Sequence, residues 1–133
     1  MTEQNYYRVS IKGIVIDAEG RILLTREEDG RWEMLGGGLD HGEDPATCLK
    51  REILEETGLE VTHISKTPLY FLTVPRQRGK GYIANVIYEI KLKDLHFTPS
   101  DECQELRFFH PAEMHSVELF SNVRALLALL EQK

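Results

Sequence analysis

The sequence predicts an α/β (α+β) fold in which a mixed sheet lies sandwiched between helices. Three observations carry this expectation: an alternating apolar run near the N-terminus, a capped stretch of helical period in the middle, and a second helical-period stripe near the C-terminus. β-Branched and aromatic segments fill the intervals between them. At 133 residues the chain is expected to form one domain, 1–133, since domains most often run to roughly 100 to 150 residues.

Taken in order, Tyr7 to Ile16 alternates apolar and polar side chains, breaks at Asp17-Ala18-Glu19-Gly20, and resumes from Arg21 to Arg26, which reads as a hairpin of two strands. Glu27 to Gly42 is rich in charge and glycine and reads as a structured loop. Asp44 followed by Pro45 starts a helix: the aspartate offers a capping oxygen, and proline is tolerated at the first position, where its missing N–H has no partner. The helix should run from Pro45 to Thr57, bury a stripe of Ala46, Leu49 and Ile53, and stop at Gly58 in a left-handed cap. Leu59 to Val74 and Tyr82 to Leu92 read as long strands joined by the basic turn Pro75-Arg76-Gln77-Arg78-Gly79-Lys80-Gly81. Leu106 to His110 reads as a short strand, and Val117 to Glu131 as a helix packing Leu119, Phe120, Val123, Leu126, Leu127 and Leu130 on the sheet.

Composition excludes several classes of function. With 41% hydrophobic and 29% charged residues the chain is ordinary for a soluble globular protein. A formal net charge of -6 argues against a surface that tracks a nucleic-acid polymer. Cys48 and Cys103 lie far apart, with neither a disulfide framework nor a zinc pattern, which suits a reducing cytoplasm. No export signal, membrane span or D-x-D-x-D-G calcium loop appears, so a cytoplasmic protein without membrane partners is expected.

The middle helix breaks local rules. Glu52, Glu55 and Glu56 fall at i, i+3 and i+4, where like charges repel, and they crowd the last turn, where the helix macrodipole is negative. Violations of this kind concentrate where something outside the helix offsets them. The surrounding spacing runs Gly37, five residues, Glu43, seven residues, Arg51-Glu52-Ile53, one residue, Glu55-Glu56, one residue, Gly58-Leu59. It matches G-x5-E-x7-R-E-U-x-E-E-x-G-U throughout, U being a bulky aliphatic, and by this pattern the chain resembles the Nudix hydrolases.

The resemblance implies an α/β/α sandwich and hydrolysis of a nucleoside diphosphate linked to another group. It also implies that Glu52, Glu55 and Glu56 bind Mg2+ or Mn2+ and supply the base, Glu52 being the leading base candidate. Hard, oxygen-seeking Mg2+ suits such a carboxylate set. Gly36 resembles the residue whose carbonyl joins the coordination sphere, Glu102 the acidic ligand of a later loop, with Glu105 second, and Arg51 a group that orients a carboxylate such as Glu55 or Glu43.

Substrate choice lies outside the box. Arg26, Arg76, Arg78 and Lys80 could meet phosphates, and Trp32, Tyr70, Phe71 and Tyr82 could stack a ring. Pro75, sixteen residues beyond Leu59, resembles a submotif of ADP-ribose-cleaving members, while Leu23-Leu24-Thr25-Arg26 resembles part of a coenzyme A signature. Leu35-Gly36-Gly37 departs from the family's usual Pro-Gly-Gly. Two enzymatic expectations therefore stand: cleavage of ADP-ribose or a nucleotide sugar, and cleansing of modified nucleoside triphosphates. A catalytically silent nucleotide-binding or regulatory module is the alternative, and the relatives make a homodimer possible.

Overall fold

The computed structural model describes residues 4–132. Two sheets organise the chain. The larger carries β4 (Leu35–Gly38), β1 (Tyr7–Ile14), β7 (Tyr82–Leu92) and β5 (Val61–Ile64) in that order, and β6 (Tyr70–Pro75) also pairs with β7. The smaller carries β3 (Trp32–Glu33), β2 (Ile22–Arg26) and β8 (Glu105–Phe109). β1 runs parallel to β7, and the remaining pairings are antiparallel, so the large sheet is mixed.

Period-two alternation sorts the apolar side chains onto two faces. Ile11, Leu23, Leu35 and Ile90 join Leu49 and Ile53 of α1 (Pro45–Thr57) on one side. Ile14, Leu24, Met34 and Ile87 join Val123, Leu126 and Leu127 of α3 (Ser121–Leu130) on the other. The result is the helix, sheet, helix layering of a mixed α+β protein. Among the described residues no helix is long and apolar enough to cross a membrane.

α1 keeps its expected bounds. Asp44 accepts a hydrogen bond from the Thr47 amide at 2.8 Å, and Gly58 closes the helix with φ 73°, its N–H donating to the Leu54 carbonyl. Ala46, however, is exposed, and Cys48 takes the place expected of it in the core.

Four expectations are corrected. The chain does reverse at Asp17–Gly20, but β1 and β2 enter different sheets and meet only at an isolated Ile16–Ile22 bridge and a Leu23 to Val15 hydrogen bond. The single strand expected over Leu59 to Val74 is two, β5 and β6, parted by a loop through Ser65 and Pro68; Pro68 has no N–H to give a sheet. Residues 117–120 are not helical, because Trp32 donates to the Glu118 carbonyl and accepts from the Phe120 amide, holding Leu119 extended beside β3. A short helix, α2 (Pro111–Met114), precedes this segment, with Glu113 accepting from the His110 amide at 2.8 Å. The loop expected from Glu27 to Gly42 contains β3 and β4.

Candidate active site

Gly36, Gly37 and Gly38 each face a different neighbour. Gly36 adopts φ 111°, and a Cβ there would run into the β1 backbone at Ile11 and Lys12. At Gly37 a Cβ would meet the Glu52 carboxylate, and at Gly38 the Arg8 guanidinium. The last turn of α1 therefore lies directly against β4.

Glu52, Glu55 and Glu56 line one recess with Ser100, Asp101 and Glu102, in a cavity of about 270 Å³. Arg51 stands at its edge, its Nε donating to Glu43 at 2.6 Å, one terminal nitrogen to Glu43 at 2.9 Å and to the Gly38 carbonyl at 3.2 Å. The other terminal nitrogen reaches Glu52 at 3.1 Å and Glu55 at 3.4 Å. Hydrogen bonds from Arg51 hold the Glu43 carboxyl down at about 2, and the same contacts raise the arginine. The helix thus bears its clustered negative charge because one planar cation spans two of its three carboxylates, Glu52 and Glu55, together with Glu43 ahead of the helix.

Glu56 has a different environment. It is 8% exposed, and its Oε1 accepts from the Gly36 amide at 3.2 Å. Burial, followed by a hydrogen bond to Glu102, pushes its carboxyl up to about 9, against the opposing pull of Lys12. Ser100 donates to the Glu56 carbonyl at 2.7 Å and Thr25 to that of Glu102 at 3.2 Å, which joins the β8-side loop to the helix.

All donors in the recess are oxygens, as a hard divalent cation requires. Among the described residues no three His, Cys, Asp or Glu side chains converge on one point. The reason is visible in their partners: Glu52 and Glu55 lie on Arg51 and Glu56 on the Gly36 amide, so a cation would draw them off these contacts. The Gly36 carbonyl accepts from Lys12 Nζ at 3.1 Å. Glu105, the second choice for the later-loop carboxylate, instead pairs with Arg26 at 3.3 Å and Arg107 at 3.0 Å.

A second cavity of about 310 Å³ opens on the α3 face of the sheet. Its walls include Ser10, Lys12, Glu33, Asn85 and Asn122, none of them singled out by the sequence, with Phe120 beside them. Lys12 is 7% exposed and lies 3.8 Å from Glu33. Its burial opposes the charge, but Glu33, Glu56, Glu27 and Glu52 outweigh this and hold its pKa above the ordinary value. Glu27, partly buried and close enough to feel Glu33, is pushed up to about 7. Ser10 and Lys12 share a face of β1 with Ile14, and Asn85 a face of β7 with Ile87, so polar groups interrupt a buried sheet face. Gly36 separates the cavities, offering its amide to Glu56 and its carbonyl to Lys12.

Arg76 and Arg78 line the α3-side cavity, and no carboxylate pairs with either among the described residues. Tyr82 instead faces a neighbouring groove with Tyr7, Arg8, Arg76 and Lys80, its ring 6.0 Å from that of Tyr7. Arg26 is taken up by Glu105 and Gln104. Trp32 is core, edge-on to Phe109 at 4.9 Å; Tyr70 is half-buried and Phe71 exposed.

Comparison with known proteins gives a consistent picture. A family model described as NUDIX domain matches residues 6–130. A MutT-like protein of Streptomyces ambofaciens is 40% identical over 70 residues, covering 52% of this chain and 46% of that protein. An RNA pyrophosphohydrolase of Bartonella henselae is 27% identical over 124 residues, covering 84% of this chain and 72% of that protein. The chain spans less than half the length of the curated relatives it matches at about 40% identity. The solution structure of the E. coli ORF135 protein superimposes with a TM-score of 0.77 at 22% identity, covering 96% of this chain and 91% of that one.

Proposed function

Because the chain belongs to the NUDIX domain family, whose model spans residues 6–130, we propose that it hydrolyses the diphosphate linkage of a nucleoside diphosphate joined to a further group, with Mg2+ or Mn2+ as cofactor. The carrying observation is the recess lined by Glu52, Glu55, Glu56 and Glu102 beside Gly36. The printed names of the relatives, MutT-like protein and RNA pyrophosphohydrolase, support the same chemistry.

Glu52, Glu55, Glu56 and Glu102, with the Gly36 carbonyl, would hold the cation. When bound, it supplies neutralisation of the diphosphate oxygens and a lowered pKa for water. Arg51 keeps Glu52 and Glu55 at fixed height over β4 while sparing them mutual repulsion. Glu52, the leading base, accepts the proton of the attacking water on its carboxylate, which lies against Gly37 at the floor of the recess. Arg76 and Arg78 give the outer part of the α3-side cavity positive charge for an anionic substrate, and the cavity receives the group beyond the diphosphate.

Glu52→Gln, assayed for phosphate and pyrophosphate release over a nucleotide panel with Mg2+, should lower turnover by at least about a hundredfold at unchanged melting temperature. Turnover within threefold of the parent would remove Glu52 from the chemistry. Product identity separates the substrates: ADP-ribose or a nucleotide sugar yields a nucleoside monophosphate and a sugar phosphate, whereas a triphosphate releases pyrophosphate.

A further inference from the structure

One buried side chain in the α3-side cavity has a hydrogen bond left to make. Asn85 is 1% exposed on β7, and its Nδ2 has no partner among the described residues. The orientation of that amide follows from its neighbours. Glu33 Oε1 accepts from the Met34 amide at 2.8 Å and from Asn122 Nδ2 at 2.9 Å. Asn122 Oδ1 accepts from the Val123 amide at 3.0 Å, so both ends of the Asn122 amide are assigned. Asn122 Nδ2 also donates to Asn85 Oδ1 at 3.2 Å. Rotating Asn85 by a half turn would set two NH2 groups against each other. The network therefore fixes Asn85 with its oxygen spent and its nitrogen free.

Resting on the reading that the diphosphate lies at the carboxylate recess, we infer that Asn85 Nδ2 is the donor that selects the group attached to it, admitting a heterocyclic base that presents a neutral acceptor to β7. The volume of about 310 Å³ lies at the low end of ligand cavities, which suits one ring system better than a whole nucleotide. Lys12 already faces Glu33 at 3.8 Å, so this wall carries no surplus positive charge, and the acceptor it suits is a carbonyl oxygen or ring nitrogen rather than a phosphate. Nδ2 is shut off from bulk water in the free protein, so a base that offers an acceptor gives it its first partner. A ligand without the acceptor leaves a buried donor unmet, a loss equivalent to about ten- to hundredfold in affinity.

The test uses the full chain with Mg2+ and a panel of ribo- and deoxyribonucleoside triphosphates, ADP-ribose and nucleotide sugars. The best substrate is then compared with analogues that lack one base acceptor at a time, such as 7-deaza and 1-deaza purines, 2-aminopurine for guanine, and 3-deaza pyrimidines. In the parent protein one analogue should raise KM by at least about tenfold with kcat within about threefold. N85L should treat that analogue and its parent compound alike, within about twofold, and N85A provides the same comparison should the larger side chain prevent folding. A merely structural Asn85 would lower all substrates together and leave the discrimination intact, which would overturn the inference, as would a parent protein indifferent to every analogue. Failure of the parent protein to turn over any panel member would instead overturn the hydrolase reading, and this assignment with it.

Discussion

Arg51 shows how one residue can hold a cluster that would otherwise repel itself. It spans Glu43, Glu52 and Glu55, and its hydrogen bonds depress the Glu43 carboxyl to about 2. A carboxyl depressed in the folded state stabilises the protein above the unfolded value of 4.5 and loses that contribution as pH falls towards 2. Melting temperature should therefore fall on acidification through this window, and Glu43→Gln should flatten the dependence; an unaltered pH profile would show that the pair is inert. The box residues were legible in the sequence because their spacing is rigid and their charge pattern defies helix preferences. Lys12, Glu33 and Asn85 were not, since polar residues alternating along a strand read as a solvent face, nor was Asn122, a lone polar residue in the first turn of α3. The signal was present in a weaker form: both faces of a strand flanked by two apolar helices must be covered, so Lys12 had to be buried.

At the level of elements, local chemistry identified the helix better than it identified the strands. Asp44, Pro45 and Gly58 are intrinsic signals, and α1 starts and stops where they direct. Gly58→Ala should cost about 1 kcal/mol or more, because φ 73° is strained for a side chain and a Cβ would press on Thr98 at 3.2 Å. Differential scanning calorimetry should record this as a fall of roughly 4 °C, with Asp44→Ala giving a smaller fall, and no change in either would mean that the helix ends are held by packing alone. Strand partnership depends on distant segments. The Asp17–Gly20 turn was legible, yet which sheet each arm enters is decided by β4, β7 and β8. Likewise the helical-period stripe after Val117 was genuine, but its first four residues are drawn straight by hydrogen bonds to Trp32 that no local pattern encodes.

For the whole molecule, folding, cation and protons should be linked through Glu56. Burial raises its carboxyl to about 9, so the metal-free folded state favours the neutral acid, and its contribution to stability is complete below 4.5 and declines as pH rises through 9. A divalent cation reverses the preference by binding the charged form, and any ligand that binds only the folded state raises its stability. The Mg2+-induced rise in melting temperature should grow between pH 6.5 and 8.5, with proton release on titration visible by calorimetry in buffers of different ionisation enthalpy. A rise independent of pH would detach Glu56 from the cation.

The consecutive glycines of β4 bear on how such a chain can change. Each is confined from a separate direction, by the β1 backbone, by the Glu52 carboxylate and by the Arg8 guanidinium. At Gly36 no single replacement elsewhere can make room, because the obstacle is the β1 backbone itself, whereas at Gly37 and Gly38 it is the movable end of one side chain. Laboratory evolution of new specificity is thus barred by size at Gly36, could enter at Gly38 by way of Arg8, and at Gly37 would have to displace Glu52.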